Sequence, residues 1–193
     1  MHFHRFAAFL VGAWLAGSVF MDLVATQNFR SVDRLLDAPS QQATERIQKL
    51  GGHDAARVFL RHLVSEQNRT YFVTWERAQI VLGCVLFLGL LFGMQPERFP
   101  LLLALVMLGI VLLMHFFLTP EITRLGRAID FAPPGGSGDR TRFWTFHGLY
   151  SASELIKLGL GLALAYRLLR KSKTSQTAEV DRVHEPDHSH ING

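Results

Sequence analysis

The stretch FPLLLALVMLGIVLLMHFFL, residues Phe99–Leu118, contains no Lys, Arg, Asp or Glu. A helix of about 20 mainly apolar residues is long enough to cross the hydrocarbon core of a bilayer. Three further stretches have comparable length and hydropathy, and they run approximately over Phe6–Ala25, Trp75–Met94 and Trp144–Leu169. The sequence therefore predicts an all-α integral membrane protein in which four helices form a bundle.

The fourth apolar stretch differs from the others because it contains Glu154 and Lys157 near its middle. Ionisable side chains at that depth are costly, and they usually face the interior of a bundle or a water-filled cavity. Residues three positions apart are neighbours on a helix surface, so opposite charges at this spacing can pair. We expect a buried Glu154–Lys157 ion pair.

Composition sets the class of the chain. Its 193 residues are 49% hydrophobic and carry a formal net charge of +4. Basic and acidic residues alternate in the polar segments, whereas a nucleic-acid surface requires basic residues clustered on one face. We therefore expect the lipid bilayer as a partner and no nucleic acid. The membrane domain is predicted to cover residues 1–170, and the polar residues 171–193 are predicted to be a disordered tail.

A polar segment, Thr26–Thr74, separates the first two spans. Apolar residues recur at helical spacing in Phe29–Leu36 and again in Phe59–Val64. Pro39 and the pair Gly51-Gly52 are breaks between these parts. The pattern predicts short amphipathic helices that lie in the membrane interface or over the mouth of the bundle.

Chain direction determines which polar residues meet. Four consecutive spans alternate in direction, so the end of the first, the start of the second, the end of the third and the start of the fourth share one membrane face. The polar residues predicted near that face are Asp22, Glu76, Gln79, His115 and His147. On the fourth helix, a polar stripe of His147, Ser151, Glu154 and Lys157 is predicted to extend inward from the same face.

Three functional hypotheses follow from this arrangement. In the first, His115 and His147 bind a metal or haem, with Asp22 or Glu76 as a further ligand or as an orienting carboxylate. In the second, the polar stripe of the fourth helix conducts protons or a solute. In the third, the protein is a non-catalytic membrane scaffold or accessory subunit. Interfacial hydrogen bonds and a structural ion pair account for the same residues without any such role.

Standard catalytic motifs are missing from the sequence, which contains no nucleophile elbow, P-loop or HExxH motif in a suitable context. An enzyme of the usual hydrolytic type is therefore not expected. The His-rich segment His184–His190 has the composition of a weak divalent-metal site, but a solvated tail explains it equally well.

Two motifs resemble a known family. Phe117-Leu118-Thr119-Pro120 has the aromatic-x-x-Pro pattern that closes the third span of the transmembrane protein 205-like domain family, and Phe143 with His147 and Ser151 matches the pattern that opens its fourth span. The resemblance covers most of residues 6–169. It implies a small bacterial four-span protein, and the family's distant similarity to membrane proteins that use intramembrane histidines implies a metal or haem role.

Basic residues close to the spans predict the orientation. The flanks on the side of the N-terminus are rich in arginine, including Arg5, Arg98, Arg167 and Arg170. Because cytoplasmic flanks carry an excess of Lys and Arg, both termini are predicted to be cytoplasmic in a bacterial plasma membrane. The first span also resembles a signal peptide, although its length and the poor cleavage site favour a retained helix. A homo-oligomer or a membrane partner protein is compatible with the sequence.

Overall fold

A computed structural model describes residues 2–93, 98–131 and 138–183, with side chains described for 5–93, 98–131 and 138–170. These residues are almost entirely helical and include no strand. The helices are α1 (His2–Asp37), α2 (Gln41–Lys49), α3 (His53–Phe92), α4 (Arg98–Leu113), α5 (Thr119–Ile129) and α6 (Gly138–Val183). A π-helical turn, Met114–Leu118, joins α4 to α5.

Three helices among the described residues are long and apolar enough to cross a membrane. They are α1, α3 and the continuous helix made of α4, the π turn and α5. The predicted all-α class and the apolar spans are thus confirmed for these helices. Helix α6 does not meet the same criterion, and it is the helix that carries Glu154 and Lys157.

Helices α1 and α3 continue far beyond their apolar stretches. With 36 and 40 residues, they are about 54 Å and about 60 Å long at 1.5 Å per residue. The prediction of several short helices in 26–74 is therefore wrong, apart from the separate helix α2. The physical reason is that residues 26–38 and 53–74 contain neither Gly nor Pro. Without these residues, a helix does not end where the hydropathy falls, and α1 continues almost to Pro39.

The predicted breaks around α2 are confirmed. Ser40 is the N-cap of α2, and its hydroxyl accepts a hydrogen bond from the backbone N–H of Ala43 at 3.2 Å. Gly51 and Gly52 have φ angles of 98° and 91°, which side chains other than glycine rarely adopt. A small apolar cluster around Val32 and Leu36 packs the end of α1 against the start of α3.

One apolar core joins four helices. Its buried residues come from α1, α3, α4 and α6, and they are Ala7, Val11, Trp14, Leu86, Leu90, Leu103, Ala104, Met107, Val111, Leu164 and Leu168. Most other large apolar side chains on these helices face outward, as in Phe20, Leu102 and Leu162. An apolar exterior around an apolar core is typical of a protein in lipid. There the hydrophobic effect does not hold the helices together, and their association depends on close van der Waals packing.

Gly17 allows α1 and α3 to approach closely. A Cβ atom at Gly17 would overlap the indole ring of Trp75, whereas a Cβ at Gly12 on the same helix would meet nothing within 4 Å. Small residues matter in membrane helices where backbones or large rings come close. Of these two glycines, Gly17 is therefore the one that the packing requires.

Replacing Gly17 with Ala is expected to destabilise the protein by about 1–3 kcal/mol, because the methyl group must displace Trp75. The matched change Gly12→Ala is expected to be neutral or stabilising by up to about 1 kcal/mol, since alanine favours the helix. Unfolding in mixed detergent micelles measures both. Equal effects of the two substitutions would contradict this account of Gly17.

Several predicted features lie outside the described residues. They are the linker around 95–97 between the second and third spans, the end of the tail at 184–193, and the histidines of His184–His190. The backbone of 171–183 belongs to α6, which differs from the predicted disorder, although the side chains of these residues are outside the described set. For 184–193 the disordered tail stays a prediction.

Candidate functional site

Polar side chains occupy the centre of the helical assembly. We call six of them the polar core: Glu76, Gln79, His115, Thr119, Glu154 and Lys157. All except His115 are buried, and the side chain of His115 is 17% exposed. The group includes five residues of the predicted site, contributed by three different helical segments and brought together by packing.

The first part of the polar core is centred on Glu76 of α3, which is fully buried. One carboxylate oxygen lies 2.9 Å from Nδ1 of His115, and the other accepts a hydrogen bond from the Thr119 hydroxyl at 2.5 Å. Because a buried carboxylate is costly without hydrogen bonds, these two contacts explain how Glu76 is accommodated. They also fix α3 against the helix that contains the π turn.

The π turn places His115 and Thr119 on the side of Glu76. Pro120 has no backbone N–H, and in a regular α-helix its ring would collide with the carbonyl of Phe116. Single π turns relieve such conflicts and often occur at functional sites. The helix therefore continues through Pro120 to Ile129, so the aromatic-x-x-Pro motif does not end a helix here. That the motif closes the third span stays a prediction.

The second part of the polar core lies one helical turn further along α3. The Lys157 ammonium donates to the carboxylate of Glu154 at 2.7 Å and also to the side-chain oxygen of Gln79. That oxygen accepts a second hydrogen bond from Nε1 of Trp14 at 2.9 Å. The predicted Glu154–Lys157 pair is thus present, and Lys157 is only 1% exposed.

A cavity of about 500 Å³ opens beside the polar core, between α1, α3, α5 and α6. Asp22, Thr119, His147, Ser151 and Glu154 all contribute to its lining. A second opening, of about 620 Å³, is lined by His115, by Thr119 and by residues that follow them on α5. Thr119 borders both spaces, so the polar core lies between them.

The two predicted imidazole ligands have different surroundings. His115 contacts Glu76, whereas His147 stacks on Phe143 with ring centroids 5.8 Å apart and lines the other cavity. The proposed shared metal or haem site at His115 and His147 stays a prediction. Glu76 is the one carboxylate that contacts either ring among the described residues.

The predicted polar stripe on α6 passes from exposed to buried positions along the helix. Glu154 and Lys157 are buried in the bundle, whereas His147 and Ser151 are exposed. The Ser151 hydroxyl donates to the backbone carbonyl of His147 at 3.0 Å. His147, Ser151 and Glu154 line the cavity, whereas Lys157 lies beyond it in the buried core.

Sequence reasoning missed an arginine cluster at one end of α3. Arg69 binds Glu66 at 2.5 Å and Asp130 at 3.0 Å, and Arg127 forms two contacts with Glu66 at 2.8 Å. His62 lies 2.9 Å from Asp130. We call these five residues the Arg69 cluster. The Glu66–Arg69 pair, three residues apart, was the one local signal, since the contacts with Arg127 and Asp130 join residues 61 or 68 apart in the chain.

Within the described residues, His62, Glu66 and Asp130 are also near enough to one another to hold a metal ion. Both carboxylates, however, already bind arginine side chains. A cation would have to displace Arg69 or Arg127. The cluster is therefore best explained as a crosslink between α3 and α5.

Acid is expected to weaken this crosslink. Hydrogen bonds from Arg127 and Arg69 lower the pKa of Glu66 from 4.5 to about 2 despite partial burial. A carboxylate with a lowered pKa contributes stability above its ordinary pKa, and that contribution is lost as the pH falls toward 2. Between about pH 5 and pH 3, the melting temperature of the wild type should fall more than that of Glu66→Gln.

Thermal unfolding in detergent at several pH values tests this. Glu45→Gln is a matched control, because Glu45 is exposed on α2 and forms no ion pair among the described residues. This control should follow the wild type. Parallel curves for the wild type and Glu66→Gln would show that the Arg69 cluster does not contribute to the acid sensitivity.

Comparison of the chain with protein-family models, curated proteins and solved structures finds no match. The resemblance to the transmembrane protein 205-like domain family therefore stays a hypothesis that rests on the two motifs. Functional inference consequently depends on the geometry of the polar core and the cavity.

Proposed function

We propose that this protein is a four-span membrane protein that binds and carries protons, with Glu154 as the proton-binding carboxylate and Lys157 as its counter-charge. The observation that carries the proposal is the ion pair of Glu154 and Lys157, buried beside the cavity. Ionisable residues inside membrane helices mark ion and proton pathways. In this arrangement α6 is the fourth span.

The contacts of the polar core support proton binding. Lys157 donates to both Glu154 and Gln79, so it is held in place whichever protonation state Glu154 adopts. One carboxylate oxygen of Glu154 has no hydrogen-bond partner, and Glu154 lines the cavity. A proton that enters the cavity would therefore meet a carboxylate with one oxygen that Lys157 does not occupy, and its binding would leave the Lys157–Gln79 contact intact.

The apolar core favours a carrier over an open channel. Toward the N-terminal end of α1, the helices pack through residues such as Val11, Leu86 and Leu164, which are buried. Among the described residues, no buried polar side chain lies in 5–17, 80–93, 98–113 or 158–170. Protons bound from the cavity would thus require a conformational change before release on the other side.

Proton flux into proteoliposomes tests the proposal. An imposed pH gradient should drive flux through the wild type, and Glu154→Gln should reduce it to the level of protein-free liposomes. Asp54→Asn is the charge-matched control, because the Asp54 side chain is fully exposed. Glu154→Asp should retain part of the flux.

The outcomes separate function from folding. Each variant is first compared with the wild type by melting temperature and by size-exclusion profile. No flux with the wild type, or equal flux with folded Glu154→Gln, would overturn the proposal. Equal loss of flux in Glu154→Gln and Asp54→Asn would also overturn it.

The metal or haem hypothesis keeps one specific observation in its favour. Glu76 and His115 form a carboxylate–imidazole pair, which is a common arrangement around metal ligands. Elemental analysis and an absorption spectrum of the purified protein test it, and loss of bound metal in His115→Ala is the expected result. A role as a scaffold or accessory subunit is the remaining alternative, and co-purification of a stable partner tests it.

The orientation follows from the basic flanks. Arg5 at the start of α1 and Arg98 at the start of α4 lie on one side of the proposed membrane, together with Arg167 near the end of the fourth apolar stretch. The positive-inside rule places that side in the cytoplasm, so the cavity would open to the opposite side. A bacterial plasma membrane fits this arrangement.

A further inference from the structure

The cavity has the size of a small-molecule site. Its volume is about 500 Å³, within the range of about 300–1,000 Å³ that is typical of ligand pockets. Four helical segments contribute to its walls, so its shape depends on the assembled fold. The chemistry of its lining then indicates what kind of molecule it accepts.

Among the described residues, two carboxylates in the lining have oxygens without a hydrogen-bond partner: one oxygen of Glu154 and both oxygens of Asp22. Glu154 is 7% exposed, and its second carboxylate oxygen is buried with no hydrogen-bond partner. Asp22 is exposed, and its carboxylate has no hydrogen bond or ion pair among the described contacts. A buried acceptor without a hydrogen-bond partner costs folding free energy, so a ligand with a hydrogen-bond donor would be favoured beside Glu154. Lys157 balances only one of these two negative charges.

Aromatic side chains make up half of the apolar residues in the lining. Phe29, Phe72, Phe143 and Tyr150 come from three helices, and Phe72 and Tyr150 pack edge to face with centroids 5.8 Å apart. Aromatic faces attract cations, and they also bury apolar groups. The lining therefore combines acceptors for a cationic donor with walls for an aromatic or aliphatic body.

Anions and metal ions fit the cavity less well. Arg69 is the one Arg or Lys in its lining, and its guanidinium is already bound to Glu66 and Asp130. The lining also contains His147, but among the described residues the cavity holds no group of three potential metal ligands close enough to share an ion. The group of potential metal ligands among the described residues lies elsewhere, in the Arg69 cluster.

We propose that the cavity binds a protonated organic amine that carries an apolar, preferably aromatic, body. The ammonium group donates to the free oxygen of Glu154 and to Asp22, and the body packs against the aromatic walls. Where Glu154 also binds a proton, amine and proton compete for one carboxylate. This inference extends the proposed function, but amine binding is measured independently of proton flux.

Binding of phenylbutylamine to the full chain in phosphatidylcholine nanodiscs tests the site, with empty nanodiscs subtracted. The amine is protonated at neutral pH, as lysine is. Phenylbutanol is the matched uncharged probe, and it should bind at least about tenfold more weakly. Glu154→Gln and Asp22→Asn should each weaken amine binding by about tenfold, whereas Asp54→Asn should not change it.

A variant that fills the cavity provides an independent check. Ala25 lines the cavity, so Ala25→Phe should abolish amine binding while the polar core stays intact. Equal binding of phenylbutylamine and phenylbutanol would overturn the inference. Unchanged amine binding in both carboxylate variants or in folded Ala25→Phe would overturn it as well.

The lipid composition of the nanodiscs distinguishes two sources of the ammonium group. Phosphatidylethanolamine carries a primary ammonium, whereas phosphatidylcholine has no N–H to donate. Competition by phosphatidylethanolamine would support the ammonium chemistry and identify the lipid headgroup as its source, and no competition would favour a free amine. Amine binding without proton flux would overturn only the proposed proton carriage, and flux without amine binding would overturn only this inference.

Discussion

Replacing Lys157 with Met is expected to lower the free energy of unfolding by about 3–5 kcal/mol. The substitution keeps an unbranched side chain of similar length but removes the ammonium that contacts Glu154 and Gln79. Glu154 is then left without a counter-charge in a site where it is 7% exposed. Removing one partner of a buried ion pair is far more costly than removing both.

The double variant Glu154→Gln with Lys157→Met should therefore recover much of the lost stability. Lys49→Met is the matched control, because Lys49 is exposed on α2, and its effect should stay within about 0.5 kcal/mol. Unfolding by SDS titration in mixed micelles measures all three. A loss in Lys157→Met no larger than that in Lys49→Met would contradict the buried ion pair.

Glu76→Leu is expected to destabilise the protein by about 3 kcal/mol, since His115 and Thr119 both lose their acceptor. Glu76→Gln retains one oxygen acceptor and should cost less. The interaction energy between Glu76→Leu and Thr119→Val, from a double-mutant cycle, should exceed about 0.5 kcal/mol. Additive effects of these two substitutions would contradict the direct contact.

Periodicity and hydropathy predicted the parts of the fold that depend on long apolar runs. The stretch Phe99–Leu118 is unambiguous, and the Glu154–Lys157 pair follows from its spacing on one helix. The ends of α1 and α3 were predicted incorrectly, because hydropathy marks where apolar residues stop and not where a helix stops. Pro39 and Gly52, which do stop helices, were the better guides.

The sequence predicted which membrane face several polar residues share, but not the individual contacts between helices. The alternation of chain direction predicted that Glu76 and His115 approach the same face, and they are in contact. It did not predict that Trp14 donates to Gln79, or that His147 stacks on Phe143. Such details depend on the rotation of each helix about its axis, which the packing of Gly17 against Trp75 helps to set.

The π turn shows how a local conflict shapes the polar core. A proline inside a helix usually interrupts the regular hydrogen bonding. In the fold, the π turn at Met114–Leu118 accommodates Pro120 and directs both His115 and Thr119 toward Glu76. A motif that sequence reasoning associates with termination thus contributes to the geometry of the site.

The proposed function requires that α6 crosses the bilayer and that Glu154 and Lys157 lie within its hydrocarbon core. Spin labels at Ile156→Cys on α6 and Leu105→Cys on α4, in a Cys84→Ala background in liposomes, test it most directly, because both positions face outward. The account predicts that oxygen relaxes both labels strongly and that a water-soluble nickel chelate relaxes neither. A label at Ile156→Cys that responds to the nickel chelate like one at exposed Asp54→Cys would contradict it.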